Sequence, residues 1–98
     1  MPVDVTYEAL ADLELIEDYI KTESGDPEAA RAFIETLVEG LQVLDAFPYA
    51  GIAREDLAPN LRQYQVKSYL ALYEATDTGV TIKVVTRKGR DLRRMLGQ

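Results

Sequence analysis

The chain is predicted to be an α+β domain of order β-α-α-β-β-β: an antiparallel sheet packed against an N-terminal helical hairpin. Three observations carry this. Two amphipathic stripes of helical period are split by the short punctuation Ser24-Gly25-Asp26-Pro27-Glu28. Three closely spaced apolar runs of period two follow Pro59. A brief alternation, Pro2-Val3-Asp4-Val5-Thr6, precedes the first stripe and reads as a short strand. Residues 1–98 are expected to form one domain, because a single core usually organises about 100–200 residues.

Each element has a local cause. Thr6 can cap a first helix over about 8–23, with Glu8 in its positive first turn and Leu10, Leu13, Ile16 and Ile20 as its apolar stripe. Gly25 can close that helix in a left-handed conformation, Asp26 caps the next and Pro27 fits its first position. The second helix buries Ala30, Phe33, Ile34, Leu37, Val38, Leu41 and Leu44, and stops near Ala46 because Phe47 precedes Pro48. So short a turn makes the two helices antiparallel. Gly40 lies inside the second helix at a cost of about 1 kcal/mol relative to alanine, so close packing against a neighbour is expected there.

Residues 48–59 read as a loop with one turn near Arg54–Leu57. Strands are expected at Leu61–Val66, Tyr69–Ala75 and Val80–Arg87, joined at Lys67-Ser68 and at Thr76-Asp77-Thr78-Gly79. In the last strand Val80, Ile82 and Val84 share one face, leaving Thr81, Lys83, Val85 and Arg87 on the other. With helices on one side of the sheet, the Lys83/Arg87 side is expected to face outward. Gly89 breaks the strand, and Asp91 to Leu96 can form a short terminal helix.

Composition excludes several chemistries. The 98 residues include no cysteine and no histidine. Disulfides, thiolate sites and thiol catalysis are therefore absent, as are the commonest general base and metal ligand. The start has no signal-peptide pattern and no apolar run reaches membrane-spanning length, so a soluble cytoplasmic protein is expected. Net charge is −6, but it is unevenly distributed. Residues 1–59 hold 14 acidic and 3 basic side chains, and residues 60–98 hold 3 acidic and 8 basic. Overall acidity argues against direct non-specific binding to DNA, where phosphate neutralisation drives affinity. The split favours a charged macromolecular partner over a small metabolite.

Individual residues allow competing readings. Arg62 either anchors a loop through a salt bridge to Asp56 or Glu55, or contacts a target. Lys83, Arg87, Lys88, Arg90, Arg93 and Arg94 form the densest basic group. They are either a solvated strand and tail or a binding surface shared with Val85 and Met95. Tyr64, Tyr69 and Tyr73 read as sheet packing residues with hydroxyls at the rim. Asp12, Glu14, Glu17 and Asp18 read as the wet face of the first helix, with pairing to a basic partner as the functional alternative. No metal or cofactor is expected.

The ordered set of residues also resembles a known superfamily. Ala9-Leu10-Ala11-Asp12-Leu13 with Ile16 and Tyr19-Ile20, then Ala30, Phe33-Ile34 and Leu44, open the pattern. Phe47-Pro48 with Gly51, then Leu57, Leu61-Arg62, Tyr69, Leu72-Tyr73, Ile82, Val84-Val85 and Gly89-Arg90-Asp91, complete it. The chain resembles the ParE branch of the RelE/ParE toxins of bacterial toxin–antitoxin systems. The resemblance implies a toxin held inactive in a hetero-oligomer with a cognate, ParD-like antitoxin. That antitoxin, expected to be of ribbon-helix-helix type, would carry the DNA-binding module. It also implies DNA gyrase as the target, blocked by binding without catalytic residues. The alternative within the superfamily is a ribosome-dependent messenger RNA endoribonuclease of the RelE type. There Arg62 and Arg87, at positions matching two family arginines, would clamp a phosphate. After Arg87 the chain offers no Tyr or His as acid or base, which favours the binding branch. Arg62, Lys83, Arg87, Arg90, Arg93 and Arg94 are the candidate contacts to target or antitoxin.

Overall fold

A computed structural model describes residues 2–97, leaving the two terminal residues of the expected 1–98 domain outside the described residues. The chain runs β1 (Val3–Val5), α1 (Tyr7–Ser24), α2 (Pro27–Ala46), β2 (Ile52–Ala53), β3 (Leu61–Val66), β4 (Tyr69–Thr76), β5 (Gly79–Arg87) and α3 (Leu92–Met95). The predicted caps form. The Thr6 hydroxyl accepts the Ala9 amide at 3.1 Å, and the Asp26 carboxylate accepts those of Glu28 and Ala29. Gly25, at φ 68°, donates its amide to the Lys21 carbonyl and closes α1. A Cβ on Gly40 would lie 2.7 Å from a Val66 methyl, so the glycine lets α2 settle onto β3.

The five strands form one sheet in the order β1-β5-β4-β3-β2. The β3-β4-β5 meander is antiparallel, as expected, and the α-hairpin covers one face. Two features lay outside the expectation. β1 pairs in parallel with β5, so the sheet is mixed. Ile52–Ala53, inside the predicted loop, adds a short antiparallel edge strand to β3. Two exposed residues carry no readable periodicity, so pairing alone reveals them. Leu10 and Val38, placed on buried stripes by their spacing, lie at the flanks of the hairpin and are more than one-third exposed.

The main correction concerns the two faces of β5. Leu72 pairs with Val84 but Tyr73 pairs with Ile82, so Lys83 is an extra residue, a β-bulge. Because side chains alternate with a period of two, one inserted residue swaps every later position to the opposite face. Val80 and Ile82 pack under the helices, and so does Val85. Val84 instead joins Leu57, Leu61 and Leu72 on the far face, where Leu92 and Leu96 of the α3 region cover them. Lys83 and Arg87 are thereby parted: Lys83 pairs with Glu74, whereas Arg87 turns toward α1.

Candidate binding surface at the end of β5

The surface begins where β1 stops. Val5 is the last residue paired with β5, opposite Ile82. Thr6 then closes the pairing, donating its amide to the Ile82 carbonyl at 3.1 Å and its hydroxyl to the Lys83 carbonyl at 3.3 Å. From there α1 climbs away, and β5 continues to Arg87 without a neighbouring strand on that side. The first outward amide of this open stretch, that of Val85, donates to the Asp12 carboxylate at 2.9 Å. A side chain from α1 thus takes the place of a strand carbonyl. Asp12 is not merely part of a wet helix face.

Burial pushes the Asp12 carboxyl above its ordinary value, and the nearby Glu8 adds to the effect, while the Val85 amide opposes both. A folded-state pKa above the unfolded one means that this group stabilises the fold most at low pH. The contribution fades as pH rises through the carboxylate range. Asp12→Asn keeps an acceptor for Val85 without a buried charge. Its stability relative to the native chain is therefore expected to improve as pH rises through that range and then level off. Asp12→Ala orphans the Val85 amide and is expected to cost about 1–3 kcal/mol. Urea unfolding from acid to neutral pH measures both.

Beside this edge lies a hollow of about 270 Å³. Leu15 and Tyr19 of α1 form one wall, Tyr69 and Val85 the floor, and Arg87, Arg90 and Met95 the far rim. Tyr69 is held from beneath by an edge-to-face contact with Phe33, centroids 5.6 Å apart. The Arg87 guanidinium stands 5.8 Å from the centroid of the Tyr19 ring. Among the described residues, neither Arg87 nor Arg90 has a carboxylate within ion-pairing distance.

The structure therefore brings Arg87 and Arg90 together with Val85 and Met95 but places the other candidates elsewhere. Lys83 is 3.8 Å from Glu74 on the opposite face. Arg93 contacts Asp56, whose carboxyl is held below its ordinary value chiefly by the Arg54 hydrogen bond, and Arg94 shares the α3 turn with Arg93. Arg62 does anchor a loop, though not through Asp56 or Glu55. Its guanidinium donates to the Gly51 carbonyl at 2.7 Å and the Tyr49 carbonyl at 3.2 Å, and lies over the Tyr49 ring. Asp56 pairs instead with Arg54, and Glu55 accepts the Asn60 amide. Tyr73 completes the anchor and corrects another expectation. Its hydroxyl is not at a rim but buried, accepting the Gly51 amide at 2.9 Å and donating to the Pro48 carbonyl at 2.8 Å. The Phe47-Pro48-x-x-Gly51 spacing was the signal for this latch, since it places a carbonyl and an amide where one hydroxyl reaches both.

A solved toxin–antitoxin structure matches this arrangement of a helical hairpin on a mixed sheet. The structure described as a chromosomal ParDE TA system from P. aeruginosa superposes with a TM-score of 0.77. The match covers 89% of this chain and 95% of that one at 25% sequence identity. No curated protein sequence matches the chain. The family model for the ParE toxin of the type II toxin–antitoxin system parDE matches residues 3–92. The chain belongs to the ParE toxin family.

Among the described residues no group of three or more Asp or Glu could hold a metal ion, and no helix is long and apolar enough to cross a membrane.

Proposed function

We propose that this ParE-family toxin acts by binding DNA gyrase and is neutralised by direct contact with the ParD antitoxin of its own system. Family membership supports the target. The disposition of Arg62 and Arg87 is the observation that weighs for binding over RNA cleavage. Their strand partners, Tyr73 and Tyr69, lie four residues apart on β4. That is about 13 Å along the strand, with the two arginines on opposite neighbouring strands. Arg62 is committed to backbone carbonyls of its loop, and Arg87 stands over Tyr19. As placed, the two guanidiniums serve separate neighbours and are not arranged around one phosphate.

Expression without antitoxin is expected to arrest growth with DNA damage, and the purified chain to inhibit gyrase supercoiling. Co-expressed ParD should abolish both effects. New messenger RNA ends after induction, with gyrase activity unchanged, would reverse the assignment in favour of the nuclease.

A further inference from the structure

The β2 end of the sheet, opposite to β1, gathers apolar surface that the fold leaves uncovered. Among the described residues five large apolar side chains are more than half exposed, and three of them, Phe47, Tyr49 and Ile52, fall within the six residues that lead into β2. They are held firmly. The Tyr73 hydroxyl ties down the Gly51 amide and the Pro48 carbonyl. Arg62 grips the Gly51 and Tyr49 carbonyls and lies over the Tyr49 ring. The latch therefore presents the three side chains in a fixed arrangement, and covering them costs little ordering entropy.

The strand beside them is unpaired on its outer side, since β2 is the last in the sheet. The Arg54 amide donates to the Leu61 carbonyl at 2.8 Å, and bonding alternates along an antiparallel pair, so the Ala53 amide and carbonyl turn away from β3. One donor and one acceptor on a single residue suit a two-fold axis, because two copies of Ala53 facing each other exchange both bonds. Charge selects the same occupant. Residues 1–46 hold 12 acidic and 2 basic side chains, whereas residues 47–66 hold Arg54 and Arg62 against Glu55 and Asp56, a balance of zero. Two chains of net charge −6 repel across most of their surface and can approach at a neutral, apolar patch.

We infer that the Phe47–Ala53 edge is a self-association surface: a second copy of this chain docks on it around a two-fold axis, pairing β2 with β2 at Ala53 and burying Phe47, Tyr49 and Ile52 of both copies. A two-residue strand supplies few backbone bonds, so apolar burial carries most of the affinity. The dimer is therefore weak, with a Kd on the order of 10 µM. Because β3 and β4 separate β2 from β5, the dimer leaves the basic β5 end of each copy free.

Sedimentation velocity of the purified full-length chain, from about 1 µM to 1 mM, tests this. The mass is expected to rise from monomer to dimer across that range. Raising salt from about 0.05 to 0.5 M should strengthen the dimer, because screening relieves repulsion between two acidic chains. Ile52→Glu changes an exposed side chain and sets like charges near the axis. Its melting temperature should match that of the native chain, and its dimerisation should weaken at least about tenfold. Leu15→Glu, equally exposed but on α1 beside the β5 end, should dimerise as the native chain does. Hydrogen exchange at the Ala53 amide should slow as protein concentration rises. A chain that stays monomeric throughout overturns the inference. So does a dimer that weakens with salt, which would join oppositely charged surfaces instead. An Ala53 amide that exchanges equally fast in monomer and dimer overturns it as well, whatever Ile52→Glu does to the fold.

Discussion

Gly51→Ala is expected to lower the melting temperature by more than about 8 °C, although it adds a single methyl group to a loop. The reason is where that methyl must go. An added Cβ would meet the Gln63 backbone carbonyl inside van der Waals contact, and the Tyr73 hydroxyl and ring at 2.7 and 2.8 Å. The first neighbour is main chain in a paired strand and cannot swing aside. Relief requires the loop to lift from β3. Lifting breaks the Gly51 amide bond to Tyr73 and the Arg62 bond to the Gly51 carbonyl. Overpacking alone costs about 1–3 kcal/mol. Orphaning a buried polar group adds about 1–3 kcal/mol. A total of about 2–6 kcal/mol follows, and each kcal/mol shifts Tm by about 4–8 °C in a domain of this size. A calorimetric melt within a few degrees of the native chain would show that the loop does not seat as described.

The second large effect comes from the other half of the same latch. Tyr73 is fully buried, and its ring belongs to the main core beneath the helices. Tyr73→Phe retains that packing but strips two groups of their partner, the Gly51 amide and the Pro48 carbonyl. The expected loss is about 2–4 kcal/mol, since each orphan carries its own desolvation penalty. Tyr73→Ala adds the cavity cost of an aromatic truncation, about 3–5 kcal/mol, and should leave little folded protein. Arg62→Ala in the Tyr73→Phe background should cost less than the two single effects combined, because both residues hold the same loop. Urea denaturation of the four proteins closes the cycle. Strict additivity would mean that Arg62 and Tyr73 act on separate structures.

These two residues also show where reading the sequence succeeds and where it stops. The FP-x-x-G spacing and Arg62 were visible as a unit, and a loop-anchoring role was open for Arg62. Its partners were not legible, because they are backbone carbonyls, which carry no sequence signal. The acidic residues nearest in sequence were the natural guess, but they are used by Arg54 and the Asn60 amide. Tyr73 sat correctly in a strand, yet its hydroxyl reaches back 22 and 25 residues to bonds that no periodicity marks.

At the candidate site the same division holds. Arg87, Arg90, Val85 and Met95 could be singled out together because they crowd one short stretch around a strand end. That proximity said nothing of direction. Lys83, from the same stretch, faces the other side of the sheet with Glu74, and Arg93 is occupied by Asp56. The Asp12 carboxylate looked like any other acid on a helix, and its bond to the Val85 amide spans 73 residues.

What the sequence by itself determined is everything set by interactions a few residues long. That covers the helices with their Thr6 and Asp26 caps, the Gly25 stop, the need for Gly40, the three-strand meander and hence the α+β class. Those features follow from side-chain period and local hydrogen bonding, which are written along the chain. Only the tertiary structure decided the parallel pairing of β1 with β5, the bulge at Lys83 and the faces assigned to the basic residues beyond it. A bulge is a mismatch between two strands, so it exists only once they pair. One residue of mismatch at Lys83 turned Arg87 from the outer face of the sheet to the hollow beside α1.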